Sequence, residues 1–150
     1  MRVVIQRVSE ASVSIEGRVA GKIGHGFLIL LGIVPEDSQT DIDWLVGKIT
    51  KMRIFPDDEG KMNRCLTDVD GELLVVSQFT LHAGTKKGNR PSFIKAARPE
   101  VAIPLYEQFL ATAEKELGKA CARGEFGADM QVSLVNDGPV TITMDSHARE

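Results

Sequence analysis

The sequence is short of cysteine: Cys65 and Cys121 are the only two in 150 residues. They lie far apart and form no C-x-x-C pair. A single disulfide stays open, but two isolated thiols fit a reducing compartment better than a disulfide framework. The start "MRVVIQRVSE" alternates like a strand and carries charge, so it lacks a secretory apolar core. The longest apolar run, "FLILLGIV", falls far short of the about 20 residues that cross a bilayer as a helix. These absences make a cytoplasmic, non-membrane protein the expectation.

No surplus of basic charge is present either. The formal net charge is −3, so a polyanionic partner would have to be met by a local patch. The three histidines, His25, His82 and His147, fall in unrelated segments with no H-E-x-x-H spacing, and no metal site is expected. "GHGFLILLG" lacks the third glycine and the acidic residue of a dinucleotide fingerprint, and "GTKKGN" is not a phosphate-binding P-loop. Cofactor-free chemistry is the expectation. The acids Glu36, Asp37, Asp41 and Asp43, then Asp57, Asp58 and Glu59, sit at a helix start and a turn, and read as solvated caps.

The pattern that is present divides cleanly. "RVVIQRV", "ASVSI" and "VAGKI" alternate as a β-meander. "FLILLGIV" is apolar on both faces, as a central strand would be. Ser38 opens a helix start signal, with Ile42, Leu45, Val46, Ile49 and Met52 at helical spacing. "ELLVV" (72–76) is a second buried strand. A second helix shows Leu105, Phe109, Ala113 and Leu117 on one stripe and stops at Gly118, while Pro99 and Pro104 both suit its first turn. Two more strands flank "NDGPVT". Strands followed by helices without βαβ alternation predict an α+β fold: one domain, 1–150, with a curled, mostly antiparallel, barrel-like sheet and two helices packed on it. The tail "SHARE", from 146 to 150, is polar and expected to fray.

Three stretches could carry chemistry. "SQFTL", Ser77 to Leu81, stands where a buried strand runs out, a natural pocket rim or simply a strand end turning to solvent. The segment from His82 to Arg98 holds Lys86, Lys87, Arg90, Lys95 and Arg98 with no acid between Leu73 and Pro99. Basic, glycine-containing and bearing Phe93, it suits contacts to a nucleic-acid end, or is a flexible solvated loop. "NDGPVT" offers an Asp-Gly hairpin turn, yet Pro139 has no N–H to close it onto the carbonyl of Asn136. A Gly-Pro bond here is among the few that adopt cis, and the segment would present carbonyl oxygens outward.

"SQFTL" and "NDGPVT" in this order, with the opening "MRVVIQRV" and the segment "KKGNRPSF", resemble the D-aminoacyl-tRNA deacylase family over roughly residues 1–145. The resemblance implies a homodimer that hydrolyses the ester between a D-amino acid and the terminal adenosine of tRNA, without metal or cofactor, and its filter would also admit mischarged glycine. It implies a catalytic floor of Ser77, Gln78, Phe79 and Thr80. Across it would stand a Gly138–Pro139 element from the partner chain, oriented by Arg7. Asn136, Leu81, Lys86, Lys87 and Arg90 would complete the substrate contacts. Thr80 as nucleophile and water attack assisted by the ribose 2′-OH are both open, the second favoured because no triad is visible. A small-molecule esterase using Ser77 or Thr80, and a non-catalytic nucleic-acid-binding module, are the competing classes.

Overall fold

In the computed structural model, which describes all 150 residues, the elements run β1 (Arg2–Ile15), β2 (Arg18–Ile23), β3 (Gly26–Gly32), α1 (Gln39–Lys51), β4 (Phe55–Pro56), β5 (Met62–Arg64) and β6 (Glu72–Ser77). A single 3₁₀ turn (Phe79–His82), α2 (Pro99–Leu117), β7 (Ala122–Arg123) and β8 (Gln131–Asp145) follow. The main sheet is ordered β2-β1-β3-β6-β7, with β8 on the other edge of β1; β4 and β5 form a separate ribbon. β1 pairs antiparallel with β2, β3 and β8, and β3–β6 and β6–β7 are parallel. The sheet is mixed and curls until β2 nears β7: a Cβ on Gly21 would lie 2.7 Å from the Arg123 carbonyl oxygen. The expected α+β architecture is what forms.

The runs "RVVIQRV" and "ASVSI" join as one strand. Val3, Ile5 and Arg7 are buried first, then Val8, Ala11 and Val13. The register against β8 slips on either side of Val8. That irregularity moves the buried positions to the other face, so one strand serves two cores. The larger core takes Val3, Ile5, Phe27, Ile29, Leu73 and Val75 with both helices. The smaller takes Val8, Val13, Leu28, Leu74 and Val76 inside the curl. β3 and β6 therefore bury both faces, which is why they read as continuous apolar runs. They also touch closely: a Cβ on Gly26 would sit 2.0 Å from the Glu72 carbonyl oxygen, a space open to glycine alone.

α1 starts at Ser38, whose N–H donates to the Asp41 carboxylate at 2.8 Å, and buries Ile42, Leu45, Val46 and Ile49. α2 begins with Pro99 in its first turn, carries Pro104 inside, and ends on Gly118 at φ 74°. Its buried stripe is Ala102, Tyr106, Phe109, Leu110 and Ala113, with Leu105 and Leu117 only partly covered. Tyr106 reaches through to β6, its hydroxyl donating to the Val75 carbonyl at 2.8 Å. No helix is long and apolar enough to cross a membrane.

Three expectations need correcting. The runs flanking "NDGPVT" do not fold back on each other but are halves of β8, both paired with β1. The tail does not fray. Ser146 is buried, its N–H donates to the Met1 carbonyl at 2.9 Å, and Arg149 lies 4.7 Å from the Trp44 ring centroid. Nor are Asp37 and Asp41 solvated: both are buried. Asp37 binds the Met1 ammonium and lies 2.7 Å from the His147 ring. A charged terminus folded under the sheet needs a buried carboxylate partner, and the tail is held down by that same carboxylate.

Candidate functional site

At the end of β6 the Gln78 N–H makes the last sheet bond, to the Leu31 carbonyl at 2.7 Å. Gln78 then turns out of extended geometry and the 3₁₀ turn begins. The first bond inside that turn is Leu81 N–H to the Gln78 carbonyl, which leaves the N–H groups of Phe79 and Thr80 ahead of it without acceptors. Phe79 and Thr80 are exposed, while Ser77 and Gln78 are half-buried. The Gln78 amide donates to the Thr80 hydroxyl, and Phe79 meets Phe93 edge to face at 5.2 Å.

Ser77, Gln78 and Phe79 line a cavity of about 280 Å³. Ala97 and Ala102 line it too, with Phe126 and Met130 from the segment leading into β8 and Val132 from the start of β8. Phe126, Met130 and Ala102 lie outside the motifs that marked the site in the sequence. Two large apolar residues in the otherwise glycine-rich and polar stretch 124–130 were the available signal. A larger groove, about 460 Å³, lies among Arg2, Trp44, Lys48 and Asp145. Only Leu81 of the motif faces it, so the smaller cavity is the candidate site.

A base beside Thr80 is not supplied by His82. The strand stops before it, and the 3₁₀ turn carries His82 inward to 5% exposure. A Cβ on Gly32 would lie 3.0 Å from its ring. Burial pushes its pKa down, a hydrogen bond with the Gly32 backbone opposing. Its Nε2 has no partner. Beyond it, mutual bonds between Gly84 and Ser92 (2.7 and 2.9 Å) pin the base of the basic loop, and Lys86, Lys87 and Arg90 stand exposed.

The Gly138–Pro139 bond is cis and lies in a bulge of β8. Asn136 pairs with Val8 and Thr141 with Gln6, so residues 137–140 stand opposite Arg7 alone. The missing hairpin donor is replaced one residue later: the Val140 N–H donates to the Asn136 side-chain oxygen at 2.9 Å. The Asn136 amide also donates to the Thr141 hydroxyl at 3.0 Å. Arg7, buried to 7% exposure, grips the bulge from beneath. Its Nε donates to the Asp137 carbonyl at 2.9 Å and its Nη1 to the Ile54 carbonyl. Arg7 thus holds the residue ahead of the Gly-Pro pair, and Asp137 joins the constellation unforeseen.

Gly138 and Pro139 are exposed and line none of the chain's own cavity beside Ser77. β8 pairs through β1 only, leaving its other edge open along 15 residues. Asp37, Asp41 and His147, from segments that looked unrelated, bring ligand-type atoms within 4.8 Å of one another. The Met1 ammonium already engages Asp37 there, so the cluster reads as the tether of the two termini.

Comparison with known proteins bears on this geometry. A family profile described as D-Tyr-tRNA(Tyr) deacylase matches residues 4–145. The chain is 63% identical over 150 residues to a D-aminoacyl-tRNA deacylase of Flavobacterium johnsoniae, with 100% of both chains covered. It is 61% identical over 150 residues, again with 100% of both covered, to one of Porphyromonas gingivalis. Among solved structures it is similar to a c-Myc DNA unwinding element binding protein, with TM-score 0.90, 42% identity, and 97% and 98% of the two chains covered. A probable eukaryotic D-amino acid tRNA deacylase shares the fold at TM-score 0.82 and 17% identity, over 95% and 97% of the chains.

Proposed function

The chain belongs to the D-Tyr-tRNA(Tyr) deacylase family, hydrolases of the D-aminoacyl-tRNA ester, and from that premise we propose how its residues sort the hand of the substrate. The working unit is a cytoplasmic homodimer. The Gly138–Pro139 bulge of one protomer enters the cavity beside Ser77, Gln78, Phe79 and Thr80 of its partner. One observation carries this reading: an outward bulge clamped by Arg7 and Asn136 and a cavity it does not line make sense as two halves of one site.

The sorting is by exclusion. Main chain gripped at Asp137 and Val140 leaves no room for a side chain of L configuration, whereas a D side chain points away. The filter reads the Cα and not the side chain, so glycine passes. L-aminoacyl-tRNA is the abundant competitor, and a preference of ~10⁴ needs about 5.5 kcal/mol. A lost methyl contact supplies only about 1–3 kcal/mol, so a clash with unyielding backbone is the adequate device.

Hydrolysis then asks for little. The scissile ester is already activated. The N–H groups of Phe79 and Thr80 face the developing oxyanion, with Gln78 beside them. Water adds to the carbonyl carbon with the neighbouring ribose 2′-OH assisting proton transfer; the tetrahedral intermediate collapses to the free acid and expels the ribose oxygen, which takes up the proton. Thr80 stays a hydrogen-bonding group. Lys86, Lys87 and Arg90 contact the phosphates of the tRNA end.

Purified protein is expected to release D-tyrosine from D-Tyr-tRNA and to spare L-Tyr-tRNA. Equal cleavage of both removes the filter. Salt-sensitive nucleic-acid binding without turnover supports instead the binding-module reading, which the similarity to a DNA unwinding element binding protein keeps worth testing. Cleavage of simple D-amino esters independent of tRNA marks a small-molecule esterase.

A further inference from the structure

The turn that carries the Phe79 and Thr80 N–H groups has one polar side-chain tie from outside the motif to its backbone. Arg2 Nη1 donates to the Leu81 carbonyl at 3.1 Å, and the same guanidinium donates through Nε to the Asp145 carboxylate at 2.6 Å. Arg2 and Asp145 are direct cross-strand partners on β1 and β8, which sets the fork of the guanidinium before it reaches the turn. Burial works to raise the Asp145 carboxyl, but the hydrogen bonds from Arg2 and the His147 N–H, with the Arg2 charge, hold it below the usual carboxylate range. After Ala83 the chain runs into the exposed loop.

We propose that Arg2 is a positioning residue for the deacylase reaction, acting through the Leu81 carbonyl on the aim of the Phe79 and Thr80 N–H groups. This rests on the family reading above. An oxyanion donor must be held to within about 0.5 Å and 10–20° of its productive place. Burial of His82 anchors the end of the turn, but the Leu81 carbonyl ahead of it has no side-chain donor other than Arg2. The β1–β8 pair is rigid, and Arg2 transfers that rigidity to the turn. Arg2 touches no reacting atom in this scheme, and its loss leaves substrate binding and the Gly138–Pro139 filter in place.

The test is single-turnover and steady-state kinetics of Arg2→Gln, Arg2→Lys and Asp145→Asn on D-Tyr-tRNA, with thermal melting alongside. Gln is used in place of Ala because a small second residue exposes Met1, a core residue, to removal by aminopeptidase. Arg2→Gln is expected to lower kcat about tenfold, leave KM within about twofold and preserve the D-over-L preference. Its Tm should stay within a few degrees, since the Arg2 side chain is 48% exposed and such pairs add little stability. Arg2→Lys should recover part of the rate, and Asp145→Asn should show a smaller loss in kcat. Unchanged kcat in Arg2→Gln overturns the inference. So does a rise in KM with a shallower salt dependence, the mark of a direct phosphate contact. Absence of D-selective hydrolysis by the unaltered protein would instead sink the family-based reading, a distinguishable result.

Discussion

Replacing Gly138 by Ala places one methyl group between the two gripped residues of the bulge, Asp137 and Val140. Gly138 has φ +138°, and a Cβ built there lies 2.8 Å from Val140 Cγ2 and 2.9 Å from Arg7 Nη2. The backbone conformation alone costs a residue with a side chain about 1–3 kcal/mol, and the two short contacts add about 1–3 kcal/mol if nothing moves. The bulge is exposed and β8 is paired on both sides of it, so the cheapest relief is a shift of residues 137–140 with the ladder intact. Relaxation of that kind should keep the net loss of stability to roughly 1–2 kcal/mol, a fall in Tm of about 2–8 °C. On the proposed filter that shift would carry the Gly-Pro main chain out of place, and each ~1.4 kcal/mol of clash given up is a decade of discrimination. Rates on D-Tyr-tRNA and L-Tyr-tRNA, measured with the melting curve, should show the D-over-L ratio dropping at least tenfold. The D rate itself should fall less. A lowered Tm with an unchanged ratio would refute the reasoning, and so would both rates dropping in parallel.

Thr80→Ala is expected to retain substantial D-Tyr-tRNA hydrolysis, since no base accompanies the hydroxyl and the backbone N–H remains; near-total loss with an intact fold would make Thr80 the nucleophile. Asp37→Asn leaves the buried Met1 ammonium without its carboxylate and is expected to cost about 3–5 kcal/mol, read as a Tm drop of roughly 10 °C and faster proteolysis of residues 146–150. His82, its pKa depressed first of all by burial, stays neutral in the fold to lower pH than in the unfolded chain. Stability should therefore fall as pH drops below about 6.5, where the unfolded chain takes up the proton. His82→Leu should flatten denaturant midpoints over that range; an unaltered pH profile would contradict the burial argument.

Elements were legible wherever one segment determined its own structure. The stripe Ile42, Leu45, Val46 and Ile49 faces one core and so repeats at helical spacing, and β3 and β6 read as apolar runs because both their faces are covered. What escaped depended on distant partners. The bulge on β1 shows only against β8. The docked tail needed the ammonium of Met1 and the carboxylate of Asp37 to meet across 36 residues of sequence separation. Pro139 announced that no ordinary hairpin would form, yet the substitute acceptor, the Asn136 side chain, is a matter of geometry. The candidate site divides in the same way. "SQFTL" is local and was visible, whereas Phe126, Met130 and Ala102 reach the cavity only through the curl of the sheet.

The most direct measurement is a structure of the protein in solution-relevant assembly with a non-hydrolysable D-aminoacyl-adenosine mimic in the cavity beside Ser77 and Phe79. The expected result is a dimer in which Gly138 and Pro139 of the neighbouring protomer lie in van der Waals contact with the ligand Cα, on the side an L side chain would occupy. A ligand bound by a lone chain, or a dimer with both Gly-Pro bulges facing solvent, would contradict it.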